Sequence, residues 1–253
     1  MKLLLSNDDG IQAEGLKALH RQFSDLCSTI VVAPDRERSA IGHAITLEAP
    51  IRSRKLALRN GDEAYAVSGT PADCIKLAMI ELLDKQPDLM ISGINPGANA
   101  GININYSGTL AAAREAALYG IPAIAVSIMG KTPGYYDQVA KFVKDLATSV
   151  MDQGLARGTF LNVNVPDLPM DRIRGVRISK QDNEPFQERM EKRMDPRERP
   201  YYWHAVLKQG PYKDASSDMA TIAEDYISIT PVKCDVTDYK SMQTLKSWDI
   251  RIR

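Results

Sequence analysis

Apolar residues fall into short unbroken runs, separated by stretches with helical spacing. Leu3 to Leu5 form the first run, which fits a strand buried on both faces. Ser6-Asn7-Asp8-Asp9-Gly10 breaks it, and Leu16, Leu19 and Phe23 then recur at helical intervals. Thr29 to Ala33 read as a second strand, closed by Pro34-Asp35. A strand, loop, helix and strand in that order open a parallel sheet. Thr70-Pro71-Ala72-Asp73 has the form of a helix start, with a capping Thr, Pro in the first turn and an acid three residues on. The helix is expected to run to about Asp84. Leu89 to Ser92 reads as a strand, and a glycine-rich loop spans Gly93 to Gly108. An alanine-rich helix follows from about Thr109 to Gly120, a C-terminal capping glycine. Pro122 to Ser127 is a further buried strand, and Val139, Phe142, Val143, Leu146 and Val150 mark one face of another helix. Phe160 to Val165 and Tyr226 to Thr230 read as strands, and Tyr239 to Leu245 as a last helix.

The character changes after about residue 180. Gln187 to Arg199 is dense in charge and ends at Tyr201-Tyr202-Trp203. This pattern predicts an arm or hairpin at about 181–215 whose aromatic tip packs against another surface, because an isolated hairpin is marginal in water. A charged hairpin folded on its own domain is the alternative.

Composition narrows the class. The 253 residues suit one α/β domain over 1–253 with an appendage, and 44% hydrophobic with 25% charged residues is ordinary for a globular protein. Thirty-two basic residues balance 32 acidic ones, so no overall field favours a nucleic acid or an anionic membrane. The three cysteines, Cys27, Cys74 and Cys234, lie too far apart for a zinc ribbon or redox dithiol and read as small buried residues. The apolar run at Met1 to Leu5 stops too soon for a signal peptide, so a cytoplasmic location is expected.

Three polar segments follow three predicted strands. In parallel α/β sheets ligands gather at that end. In the first, Asp8 and Asp9 are adjacent carboxylates that repel unless a cation lies between them, and oxygen ligands suit Mg²⁺, Mn²⁺ or Ca²⁺. The same Asn-Asp-Asp-Gly string also makes a good turn. The second brings Ser39 to the same rim, as a ligand, a helix cap, or a nucleophile with His43 as its base; no G-x-S-x-G elbow surrounds it. The third, Ser92 to Gly101 and on to Tyr106-Ser107-Gly108-Thr109, suits a phosphate. Its glycines let backbone N–H groups approach an anion, and a helix N-terminus points there. Neither dinucleotide nor Walker A spacing is present. With only His20, His43 and His204, a histidine-built zinc site is not expected.

Taken together, Asn7-Asp8-Asp9-Gly10, the Ala33-Pro34 segment ending in Ser39, Gly93-Ile94-Asn95 through Gly101, and Tyr106-Ser107-Gly108-Thr109 resemble the signature of the SurE family of survival-protein phosphatases. Val67 to Asp73, Asn162 to Pro166 and Tyr226 to Pro231 extend the resemblance over almost the whole chain. It implies a three-layer α/β/α sandwich with a Rossmann-like, mainly parallel sheet and an extended C-terminal arm. It implies one divalent ion held by Asp8, Asp9, Ser39 and Asn95, and a substrate phosphate held by Asn99, Ser107, Gly108 and Thr109. The activity implied is hydrolysis of nucleoside 5′-monophosphates, with 3′ esters and short polyphosphate as further substrates, in a homodimer or homotetramer joined through the arm. Asp8 or Asp9 would position the attacking water or move its proton. Two other readings stand beside this one. A non-catalytic metal- and nucleotide-binding module would bind without turnover. An aspartyl-nucleophile phosphatase of the haloacid-dehalogenase type would need D-x-D, whereas the two acids here are adjacent.

Overall fold

The computed structural model describes residues 1–58, 61–184, 188–206 and 212–252. Strands β1 (Lys2–Ser6) and β2 (Ser28–Pro34) flank helix α1 (Glu14–Phe23). Next come β3 (Ser53–Ala57), β4 (Glu63–Val67), α2 (Pro71–Leu77), β5 (Leu89–Pro96), α3 (Gly108–Leu118) and β6 (Ala123–Ile128). The chain continues through α4 (Tyr136–Gln153), β7 (Thr159–Val165), β8 (Val176–Ile178), β9 (Glu188–Met194), β10 (Pro200–Val206), α5 (Asp218–Ala223), β11 (Ile227–Lys233) and α6 (Tyr239–Leu245). Among the described residues nine strands form one sheet in the order β3-β4-β2-β1-β5-β6-β7-β11-β8, parallel from β4 to β7. β3 pairs antiparallel with β4, and β11 pairs antiparallel with β7.

The central strands are apolar on both faces because both faces are covered. Leu3, Leu5, Val31, Ile91 and Val126 meet α1 and α4, while Leu4, Val32, Met90 and Ala125 meet α2 and α3. The layers are therefore α/β/α, as expected. The alanines of α3 (Ala112, Ala113, Ala116 and Ala117) let that helix lie close on the sheet.

Several elements depart from expectation. β5 does not stop at Ser92 but continues to Pro96, because a bulge between Ser92 and Asn95 shifts its register on β6. Gly93 makes this possible: its φ is +136°, and a Cβ there would sit 2.4 Å from the Val126 carbonyl oxygen. The predicted loop is shortened further by a 3₁₀ turn, Gly101–Asn105. α3 begins at Gly108, with Ser107 as its cap. β3, β4, β8 and α5 were not expected; the two edge strands β3 and β8 are short and mostly exposed, so they carry little apolar pattern.

The predicted arm contains a two-stranded antiparallel hairpin, β9 with β10, that forms its own small sheet. The parts of the arm at 185–187 and 207–211 lie outside the described residues. Tyr201, Tyr202 and Trp203 are 40%, 58% and 59% exposed. Among the described residues no helix is long and apolar enough to cross a membrane.

The cap read at Thr70 is present in full. Its hydroxyl accepts from the Asp73 N–H at 3.1 Å, and Asp73 accepts the Thr70 N–H at 2.9 Å. The Thr70 hydroxyl also donates to the Ala44 carbonyl at 2.8 Å, so the cap ties the loop after Ser39 to α2. Thr70→Ala is expected to cost about 1–2 kcal/mol, the upper part of the range for a cap, read as a lower urea midpoint at unchanged slope.

Candidate metal and phosphate site

β1 ends at Ser6, and the next four residues turn at the carboxyl edge of the sheet. The Asn7 side chain closes this turn, donating to the Gly10 carbonyl at 3.0 Å and accepting the Gly10 N–H at 3.2 Å. The turn reading of this string is therefore correct, and the same turn fixes where the two acids point. Asp8 is only 4% exposed. Its carboxylate accepts the Thr109 hydroxyl at 2.6 Å, and the first turn of α3 faces it. Gly108 allows this approach, since a Cβ there would lie 2.7 Å from Asp8 Cβ.

Burial pushes the Asp8 carboxyl above its ordinary range, and the Thr109 hydroxyl and N–H oppose that rise. Burial, the Asp8 charge and Glu37 together push Asp9 up to about 7. One Asp9 oxygen is buried with no hydrogen-bond partner among the described residues. Two desolvated acids, one with an orphaned oxygen, leave an unmet demand for positive charge.

A cleft of about 270 Å³ opens beside them, lined by Asp8, Ser39, Asn95, Asn99 and Ser107, with Asn103 and Tyr106 completing its wall. The structure thus brings five of the eight expected residues to one cleft. Gly108 and Thr109 stand behind Asp8, and Asp9 lies next to it without lining the cleft. The Ser39 hydroxyl donates to Glu37 at 2.5 Å, which leaves its oxygen lone pairs for a ligand. The Asn95 amide nitrogen donates to the Gly97 carbonyl at 2.6 Å, which leaves its side-chain oxygen as the acceptor. Among the described residues no group of three or more His, Cys, Asp or Glu side chains is placed to hold a metal. A cation here would rest on two carboxylates and two neutral oxygens. That donor set fits a hard divalent ion.

The hydroxyl of Thr109 is spent on Asp8, so its expected contact with a phosphate would fall to its backbone. The Asn99 amide nitrogen is likewise engaged, with Ser127 at 2.9 Å and Thr109 at 3.5 Å. Ser107 accepts the Leu110 N–H at 3.2 Å as helix cap, and its own proton can still be donated into the cleft.

Sequence reasoning counted Asn162 and Asn164 in the family signature but gave neither them nor Arg38 a role in bracing these loops. Asn164 accepts the Asn99 N–H at 2.8 Å, and the Asn162 and Asn164 amides both donate to the Asn99 carbonyl. Two asparagines at alternate positions of an otherwise apolar strand were the available signal. Arg38 donates its N–H to the Asp8 carbonyl at 2.7 Å and its guanidinium to the Ser68 carbonyl at 2.7 Å. His43 did not emerge as a base for Ser39: it pairs with Glu115 of α3 at 2.8 Å. Size does not locate the site either. A larger cavity of about 640 Å³ beside α1 is walled by Leu16, Val31 and Leu56 and is lined by neither acid.

Known proteins are similar to this chain in sequence and fold. A family model described as "Survival protein SurE" matches residues 3–188, ending where the hairpin begins. A protein named 5′-nucleotidase SurE from Desulfatibacillum aliphaticivorans is 49% identical over 250 residues, covering 99% of each chain. One of the same name from Syntrophobacter fumaroxidans is 44% identical over 253 residues, covering 99% of this chain and all of that one. The crystal structure of the SurE protein from Aquifex aeolicus superposes with a TM-score of 0.86 at 37% identity, covering 97% of this chain and 98% of that one.

The raised Asp9 carboxyl has a consequence for the metal-free protein. Folded, it titrates near 7; unfolded, near the usual value of about 3.9. Between those values the folded state binds more protons, so this residue's contribution to stability falls as pH rises from about 4 to about 7. In a chelator, Asp9→Asn is expected to gain stability relative to the parent across that window, measured as urea midpoints at several pH values.

Proposed function

The chain belongs to the SurE family, and from that premise we propose that it is a 5′-nucleotidase, a phosphomonoesterase that releases phosphate from nucleoside 5′-monophosphates. The observation that carries the site reading is the pair Asp8-Asp9, desolvated and short of positive charge beside a cleft of neutral oxygen and N–H donors.

A divalent ion held by Asp8, Asp9, Ser39 and Asn95 would supply Lewis-acid polarisation and a more acidic water. The protein's own residues do the rest. The Thr109 hydroxyl and the start of α3 hold Asp8 in place and oppose the rise that burial imposes on its carboxyl. The Ser107 hydroxyl and the backbone at Gly108 and Thr109 receive the substrate phosphate where the α3 dipole favours negative charge. Asn99, fixed by β6 and β7, closes the other side of the phosphate position. Asp8 or Asp9 would position the attacking water or take its proton. Because Ser39 and Asn95 are neutral, the site opposes an incoming phosphate dianion less than four carboxylates would. Hydrolysis of 3′ esters and of short polyphosphate is part of the same proposal, since the contacts named all fall on the phosphoryl group.

Chelation of the purified protein is expected to abolish phosphate release from a nucleoside monophosphate, and Mn²⁺ or Mg²⁺ to restore it. Asp8→Asn should lower kcat by about 10²-fold or more, as loss of a positioned charge does. Turnover unchanged by chelator would overturn the metal reading, and nucleotide binding without turnover would favour the regulatory-module alternative.

We also propose that the hairpin seats on a second copy of the chain, supported by the exposed Tyr201, Tyr202 and Trp203 on a two-stranded sheet too small to stand alone. Sedimentation should give a dimer or tetramer, and the double change Tyr202→Ser with Trp203→Ser should shift it towards smaller species.

A further inference from the structure

Another cavity, of about 320 Å³, lies on the far side of the 3₁₀ turn from the catalytic cleft. Asn103 of that turn, with Tyr106 just after it, faces the cleft, while Ile104 and Asn105 face this second cavity. Arg114 of α3, Lys180 and Lys233 line it, together with Gln181 and Thr230, and no carboxylate does among the described residues. In a chain with 32 basic and 32 acidic residues, three cations around one concavity is a local excess that overall composition does not account for.

Two further observations point to a ligand. Thr230 is only 3% exposed, and its hydroxyl has no hydrogen-bond partner among the described residues. The Arg114 Nε is also buried without a partner, although its guanidinium stacks over the Phe160 ring at 5.9 Å. Buried donors are costly to leave unpaired. Lys180 is engaged by Asp214 at 2.5 Å, but among the described residues neither Arg114 nor Lys233 forms an ion pair. Two cations without an ion pair among the described residues, Lys233 having only the field of nearby Asp235, and two unmet donors at one cavity ask for an anion with several acceptor oxygens.

We propose that this cavity is a second anion site, distinct from the catalytic cleft, that takes a phosphate-type dianion through Arg114, Lys233 and Thr230. An Arg fork and a Lys suit a tetrahedral oxyanion, and the hydroxyl of Thr230 adds a neutral donor. The site is joined to the cleft by the turn between them. Gln181 donates to the Gly101 carbonyl at 3.0 Å, so an anion ordering Gln181 also holds the start of that turn.

Binding of radiolabelled orthophosphate to the full chain in chelator, by equilibrium dialysis at low ionic strength, tests this. The measurement is made in a Ser107→Ala background to weaken binding at the catalytic cleft. Lys233→Gln, at an exposed position, should weaken the remaining phosphate binding by about tenfold, the loss expected for one charge-assisted hydrogen bond. Arg114→Gln should weaken it at least as much. Competition by a nucleoside monophosphate would identify a nucleotide phosphoryl group as the occupant; its absence would identify free phosphate. Unchanged binding in Lys233→Gln overturns the proposal. So does a variant that changes the sedimentation of the chain but not its phosphate affinity, since the cavity would then seat a second copy's acid.

Discussion

The structure depends on two adjacent carboxylates being buried at the end of β1. Desolvation alone would drive both towards their neutral forms, and the fold answers the two acids differently. Asp8 receives the start of α3, with a hydroxyl at 2.6 Å and a helix N-terminus that favours negative charge. Asp9 receives no such partner and keeps an orphaned oxygen. One acid has its burial partly offset by hydrogen bonds and the other does not, so the two adjacent carboxyls are unequal.

The approach of α3 to Asp8 constrains much else. Gly108 must lack a side chain, and the alanines behind it must be small enough for the helix to rest on β5 and β6. The loops that complete the cleft are held by polar contacts, because apolar packing cannot orient a loop whose inner side faces water and ligand. Asn162 and Asn164 hold Asn99 from the sheet. His43 and Lys76 hold Glu115 from two sides, and their hydrogen bonds outweigh its burial and keep its carboxyl below the usual range. That cluster ties the Ser39 loop and α2 to the helix that braces Asp8. The cleft is thus supported from α2, α3, β6 and β7 at once.

The hairpin answers to different physics from the sheet. The parallel core buries strands on both faces and so needs no partner to satisfy it. Among the described residues the β9–β10 hairpin pairs only with itself, and it carries aromatic residues in the open. The family match ends at its first residue, although the relatives align along the full length of the chain. Core strands bury their apolar residues within the sheet layers, whereas the hairpin leaves Tyr201, Tyr202 and Trp203 exposed.

Most of the fold was legible in the sequence because burial on two faces writes itself as unbroken apolar runs, and because caps such as Thr70-Pro71-Ala72-Asp73 have local causes. The acids, Ser39, Asn95 and the start of α3 were legible as separate loops after strands. The short exposed strands β3 and β8 were not, since an edge strand carries little pattern. Nor was the bulge that extends β5 to Pro96, because it comes from the register against β6. The sequence by itself determined that two adjacent carboxylates follow a buried strand. Only the tertiary structure decided that Asp8 would meet Thr109 across 101 residues while Asp9 would not. A contact at that separation depends on how strand and helix pack, which no local pattern encodes.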